Sequence, residues 1–158
     1  MMKQEIIFAL QKIITTELSA LERAQEVAAK AATEEESRPE NQYDTRSTEA
    51  SYLAAGQAQR VEAFKKDLRL LRQFSPKKMS AQDPIQIGSF IELECDGEQL
   101  HYLLAPVGGG YKVEYEGKMI QIITPESLLG QELIDKRIGE EVEIKTRITK
   151  LYFINSVS

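Results

Sequence analysis

A chain of 158 residues makes one ordinary domain or two small ones, and 42% hydrophobic with 28% charged residues suits a core under a well-solvated surface. No apolar run approaches the roughly 18–20 residues that a membrane helix needs. Gln11 and Lys12 interrupt the apolar stretch 6–10 before it could serve as a secretory signal. A single cysteine, Cys95, excludes an internal disulfide framework and a Cys-rich zinc site, and a single histidine, His101, removes most catalytic triads and transition-metal sites. A cytoplasmic protein with no membrane partner is expected.

The net charge of −5 argues against nucleic-acid binding by general electrostatics, which usually needs a basic face. The charge is segregated, however. Glu34, Glu35, Glu36, Glu40 and Asp44 stand against one base, Arg38. Further on, Arg60, Lys65, Lys66, Arg69, Arg72, Lys77 and Lys78 face only Glu62 and Asp67.

Residues 1–75 are rich in Ala, Leu, Glu, Gln, Lys and Arg and hold one glycine, Gly56, and one proline, Pro39. Ile7, Ile14, Leu21 and Ala28 recur every seven residues, beside Leu10, Glu17, Ala24 and Ala31, with Leu18 able to stand in for Glu17. In the next segment Ala50, Gln57, Phe64 and Leu71 form one row, and Ala54, Val61 and Leu68 the other. Two such stripes joined by a polar turn predict an antiparallel coiled-coil hairpin, each arm roughly 45 Å long. The seam shrinks from Ile, Leu, Val and Phe to Ala towards a tip at about 34–44, so a slender rod with an acidic point is expected. Asp44 or Thr45 is placed to cap the second helix. Ser75-Pro76 reads as the helix stop, and 76–83 as a polar linker.

Residues 84–158 read as a small β-rich domain. Strands are expected at 85–87, 90–95, 100–104, 111–115, 119–123, 142–144 and 150–154, with Asp96-Gly97, Gly108-Gly109-Gly110 and Glu116-Gly117 as turns. Thr124-Pro125-Glu126-Ser127 opens a short helix to about Ile134, with Pro near its first turn. A sheet packed on one short helix makes the whole chain α+β.

Several conspicuous residues have plain explanations. The three glycines lack the Lys-Ser/Thr of a phosphate loop and read as a hairpin connection. Cys95 and His101 lack partners at ligand or triad spacing and read as packed residues. The basic stretch alone is compatible with a solvated helix face. The acids gain interest from their place at the end of a rod, where carboxylates about a turn apart can share a divalent cation with another molecule's ligands.

The segment Ile123-Thr-Pro-Glu-Ser-Leu-Leu-Gly-Gln-Glu-Leu-Ile-Asp-Lys-Arg-Ile-Gly-Glu-Glu-Val-Glu-Ile is similar to the C-terminal signature of the Gre transcript-cleavage factors, Thr-Pro-x-Ser-Pro-x-Gly before a short helix, with Leu128 in place of the second proline. Glu40-Asn41 resembles the Glu-Asn of that family's tip. The resemblance spans essentially the whole chain. It implies a C-terminal domain like that of FK506-binding proteins, without implied isomerase activity, docked at the rim of the secondary channel of bacterial RNA polymerase. It also implies a hairpin whose tip acids help hold the polymerase's second Mg2+ while the polymerase hydrolyses backtracked RNA.

The family has Asp three residues before that Glu; here the position is Ser37. The resemblance therefore points to Glu40 with either Asp44 or Glu36 as the working carboxylates, and to Glu40 and Asp44 as ligands shared with the polymerase's metal only. Asn41 and Tyr43 would orient the tip or contact the polymerase. Arg60, Lys65, Lys66, Arg69 and Arg72 are candidates for the RNA 3′ segment, since phosphate contacts need only positive charge within reach. The expected function is a polymerase-binding elongation factor that stimulates cleavage, with no cofactor of its own and no enzyme activity in isolation. A channel binder without cleavage, competing with cleavage factors, is the alternative, and an adaptor for another partner the third.

Overall fold

The computed structural model describes residues 2–36 and 45–158; of residues 32–36, 45–48 and 50 only the helical backbone is described. The element order is α1 (Met2–Glu36), α2 (Thr45–Gln73), β1 (Phe90–Cys95), β2 (Glu98–Leu104), β3 (Lys112–Tyr115), β4 (Lys118–Ile123), α3 (Leu128–Leu133), β5 (Glu141–Lys145) and β6 (Thr149–Val157). The α+β expectation, two long helices followed by a sheet with one short helix, holds. Two compact units divide the chain: Met1–Gln11 with Leu70–Ser158, and Lys12–Arg69.

Within Lys12–Arg69 the helices lie side by side, with Lys65 Nζ 3.9 Å from Glu22 Oε1. Ile14, Val61 and Leu68 are buried, and Leu18, Leu21, Gln57 and Phe64 are half-buried, while Glu17 is exposed, so Leu18 does take its place. The outer part of the expected seam is not buried: Ala24, Ala28, Ala31 and Ala54 are all exposed. A methyl group reaches too short a distance to bury much area across a pair of helices, and larger neighbours such as Val27, Tyr52 and Leu53 face solvent instead. Thr45 is already helical rather than a cap.

The other unit is a six-stranded sheet in the order β3-β4-β2-β1-β6-β5. All its neighbours are antiparallel except β2 and β4, which run parallel. Asp96 and Gly97, with φ of 51° and 78°, close the β1–β2 hairpin, and Glu116 and Gly117, at 48° and 74°, close β3–β4; left-handed pairs of this kind match the right-handed strand twist. One face of the sheet packs a core of Ile91, Leu93, Tyr102, Leu104, Ile123, Val142, Ile154 and Val157 with Leu133 of α3 and Ile85. On the opposite face Leu103, Val113, Ile120 and Ile122 are buried, as are Ile6, Ile7 and Leu10 of α1. Leu10 lies 3.0 Å from where a Cβ on Gly108 would sit, and the Tyr115 hydroxyl donates to Glu5. The first turns of α1 thus cover this half of the face.

Two local expectations are corrected. Residues 85–87 alternate like a strand but form none: the Ile85 N–H donates to Lys136 O, and the Gln86 N–H to Ser89 Oγ, so both bonds go to loops. Pro125 does not sit in the first turn of α3, because Ser127 is the N-cap and Leu128 the first helical residue. The helix stop does hold: α2 ends at Gln73, and Pro76 is buried where Lys3 Nζ donates to Lys77 O at 2.7 Å. Burial holds the Lys3 ammonium below its ordinary pKa.

Candidate functional site

Of the acids expected at the tip, Glu40 and Asp44 lie outside the described residues, together with Ser37, Asn41 and Tyr43; Glu36 is the last residue of α1, with only its backbone described. Among the described residues no cluster of three or more His, Cys, Asp or Glu could hold a metal ion, and no helix is long and apolar enough to cross a membrane.

The basic candidates all lie on α2, and the helix separates them. Lys65 and Arg72 are seven apart with Arg69 between them, so the 3.6-residue period puts these three on one flank. Lys66 points further outward. Arg60 falls on the other flank, its guanidinium 5.9 Å from the centre of the Phe64 ring one turn on. Arg60, Lys66, Arg69 and Arg72 are exposed. Lys65 lies 3.6 Å from Glu62 and 3.9 Å from Glu22, which partly offset its charge. Beside Lys66, Asp67 has its pKa raised by burial, an effect that the Lys66 charge only partly offsets. The available positive charge is therefore two flanks and an outer edge rather than one five-residue patch.

The signature segment folds into a compact packing unit. Thr124 O accepts from the Ser127 N–H at 3.1 Å and from the Ser127 hydroxyl at 2.7 Å. Ser127 Oγ in turn accepts from the Gly130 N–H at 3.0 Å, capping α3. Gly130 is pressed on this cap so closely that a Cβ there would lie 1.9 Å from Thr124 O. Thr124, Ser127 and Gly130 thus form one steric and hydrogen-bonded constraint, whereas Leu128, where the resemblance expects proline, is exposed.

A polar cluster on the sheet escaped the sequence reading. Glu92 faces His101 across the β1–β2 hairpin and Ser156 across β1–β6. Ser156 Oγ donates to Glu92 Oε2 at 3.1 Å, while His101 Nε2 and Lys118 Nζ lie 3.5 and 3.8 Å from Glu92 Oε1. His101 stacks on Phe90 with ring centroids 6.1 Å apart. A two-residue turn at Asp96-Gly97 pairs positions whose numbers sum alike, so the Glu92–His101 pairing was available from the sequence. His101 and the buried Cys95 are packed residues, as expected; burial raises the Cys95 thiol pKa.

No protein-family model matches the chain, and neither does any curated protein. Among solved structures it is similar to the transcription factor Gfh1, at 18% identity and a TM-score of 0.40 over 94% of this chain and 93% of that one. The GreA factor homolog 1 (Gfh1) protein of Thermus thermophilus gives 19%, 0.39 and 95% of both chains. A prokaryotic transcription elongation factor GreA/GreB from Nitrosomonas europaea gives 15% and 0.37, over 70% of this chain and 92% of that one.

Proposed function

We propose that this chain is a secondary-channel factor of bacterial RNA polymerase, and that it stimulates the polymerase's own cleavage of backtracked RNA. The observation that carries the reading is the signature segment 123–144. Its Thr124, Ser127 and Gly130 are the residues that resemble the Gre family, and in this chain they are bound into one capping unit at the head of α3. Two long helices ahead of the sheet, with acids gathered in the sequence between them, are consistent with the same reading.

In this mechanism the chain contributes carboxylates, Glu40 with Asp44 or Glu36, and the divalent ion belongs to the polymerase. Added anionic ligands stabilise a second metal during phosphoryl hydrolysis. Arg60, Lys66, Arg69 and Arg72 offer phosphate contacts, with Lys65 contributing less because two carboxylates already hold it. Ser37, where the family carries Asp, favours a second reading: a channel binder that does not stimulate cleavage and competes with factors that do.

The test is RNA 3′-end cleavage in a deliberately backtracked elongation complex with polymerase and Mg2+. Shortened transcripts that vanish with Glu40→Ala support the cleavage factor. Absence of shortening, with protection of the transcript from an authentic Gre factor, selects the competitor. Silence in both arms refutes the polymerase reading.

A further inference from the structure

Among the described residues one charged residue is buried: Lys3, in the first turn of α1, is only 6% exposed. Its ammonium donates to Lys77 O at 2.7 Å, which uses one of the three N–H groups it carries when protonated. No carboxylate of the described residues lies within ion-pair distance of it; the lysines so placed are Lys65, Lys118 and Lys145, all more exposed. Burial is accordingly what lowers the Lys3 pKa, and no neighbouring charge opposes it. Taking an ammonium out of water without a counter-ion is costly, and one carbonyl dipole offsets only part of that cost.

Lys3 also lines a surface cleft of about 230 Å³, together with Met2, Lys78 and Ser158. All four residues belong to the compact unit formed by Met1–Gln11 and Leu70–Ser158. The cleft walls are mostly hydrocarbon, as befits a methionine and the methylene stems of two lysines. Paired hydrogen bonds with Phe90, at 2.7 and 2.9 Å, fix the main chain of Ser158. Pro76, just before Lys77, is buried. The cleft is therefore held by the sheet on one side and by the segment that follows α2 on the other.

A lysine amine becomes a nucleophile when it is desolvated or when another cation stands near it. Lys3 has both: burial favours its neutral form, and Lys78 brings a second positive charge to the same cleft. The neutral amine keeps one N–H on Lys77 O and has its lone pair free to attack. The charge on Lys78 selects the electrophile, because an ammonium attracts a phosphate group, and hydrocarbon walls accept a small acyl chain. Both features are joined in an acyl phosphate. The product suits the site better than the free lysine does. Acylation removes the buried charge and leaves a neutral amide whose N–H still donates to Lys77 O. Lys78 and solvent are the donors available to the new carbonyl, and the acyl methyl group occupies the cleft.

We propose that Lys3 is an acylation site, modified by a small acyl phosphate such as acetyl phosphate that Lys78 holds in this cleft. The Nζ lone pair attacks the acyl carbon, the N–C bond forms, and the bond from that carbon to the bridging oxygen breaks. Phosphate leaves with the electron pair of the broken bond, and the proton lost by the amine passes through solvent to the departing phosphate. The site goes beyond the polymerase reading and does not depend on it.

The test incubates the full-length protein with acetyl phosphate at mildly alkaline pH and follows acetylation of each lysine over time by peptide mass spectrometry. Lys66, exposed on α2, is the reference. Lys3 is expected to react about tenfold faster than Lys66. Lys78→Gln alters an exposed side chain; it is expected to keep the wild-type unfolding curve and to remove most of that advantage. Acetic anhydride, which carries no phosphate, is expected to acetylate Lys3 at similar rates in wild type and Lys78→Gln. Protein made with acetyllysine at position 3 is expected to unfold at a urea midpoint equal to or above that of the wild type. Lys3 reacting no faster than Lys66 overturns the proposed site. Fast reaction of Lys3 with acetyl phosphate that Lys78→Gln leaves unchanged overturns the acyl phosphate as its substrate class. A lowered urea midpoint for the acetyllysine protein overturns the fit of the product to the cleft.

Discussion

Gly130→Ala sets two physical effects of opposite sign against each other. Gly130 sits inside α3, and its φ is not in the left-handed region. Helix propensity alone therefore predicts that alanine stabilises, by about 1 kcal/mol. The packing predicts the reverse. An added Cβ would lie 1.9 Å from Thr124 O, 2.9 Å from Thr124 C and 2.7 Å from Ser127 Oγ. Two of these are backbone atoms, which cannot swing aside as a side-chain end can. Relief requires the 124–127 turn and the helix to separate, which gives up the Ser127 cap, about 1 kcal/mol, and strains a buried, close-packed site by about 1–3 kcal/mol. With the propensity gain subtracted, the net expectation is a loss of about 2 kcal/mol. With a urea m-value of about 2 kcal/mol/M, the unfolding midpoint falls by about 1 M. Tyrosine fluorescence reports it, since the chain has six tyrosines and no tryptophan. Ser127→Ala, which removes only the cap, should lose about 1 kcal/mol. A Gly130→Ala midpoint at or above that of the wild type would refute the argument and leave propensity as the dominant effect.

Alkaline titration followed by phenolate absorbance should show two late tyrosines. Tyr102 is pushed up to about 12 by burial, and Tyr115 to about 12 by its hydrogen bond to Glu5 and by burial. Both are raised above their ordinary value of 10.0, so their contribution to stability is complete below pH 10 and is lost as pH rises through about 12; if all six tyrosines ionised together near pH 10, this assignment would fail. Glu92→Ala should cost about 1–2 kcal/mol in urea unfolding, because it strips His101 Nε2 of its neighbouring carboxylate and Ser156 of its acceptor. Glu92→Gln keeps an acceptor for Ser156 and should cost less; equal losses would show that the charge, not the hydrogen bond, matters. Hydrogen exchange should be slow at residues 6–14 and 61–71, where the helices carry buried side chains, and roughly a hundredfold faster at 24–31 and 51–56, where they carry exposed ones. Uniform protection along both helices would contradict this.

Much of the architecture was legible because it is written in local chemistry. Ser75-Pro76 ends a helix by steric exclusion, and Asp96-Gly97 and Glu116-Gly117 turn a chain because their positive φ values close tight hairpins. The strands at 90–95, 100–104, 111–115, 119–123, 142–144 and 150–154 appear within a residue or two of expectation, except that β6 runs three residues further, to Val157. What local pattern could not supply was the partner of each backbone group. The Ile85-Gln86-Ile87 alternation resembles a strand, yet its amides answer to Lys136 and Ser89. The parallel pairing of β2 with β4 skips over β3, and no local signal announces such a skip. Lys3 looks like a surface residue by type, and only the Lys77 carbonyl near its ammonium makes it a buried one. Among the candidate residues, residue type picked out the bases of α2, but two carboxylates near Lys65 partly offset its charge and the helical period detached Arg60. The tip acids Glu40 and Asp44 lie outside the described residues, so their spacing is known from sequence alone.

The distribution of apolar burial also bears on how such a chain would work. Among the described residues, the buried apolar side chains of α1 stop at Ile14 and those of α2 begin at Val61. Beyond those points the described side chains are at most half-buried, as at Leu18, Leu21 and Gln57, and the helices depend on propensity and surface contacts. Those terms are small: a helical ion pair contributes about 0.3–0.5 kcal/mol, whereas a buried Ile or Leu contributes about 1.5–3 kcal/mol. Under that balance residues 24–31 and 51–56 are held more weakly than 6–14 and 61–71. Binding into a polymerase channel would then supply the contacts that the outer residues lack, and part of the binding free energy would go into ordering them. Affinity in such a system must come chiefly from a surface that is already rigid. The sheet is such a surface: its six strands are paired from β3 to β5, and one face is packed on α3. Under the proposed function, changes on the sheet should therefore alter binding, whereas changes among the acids between the two long helices should alter the chemistry that follows it.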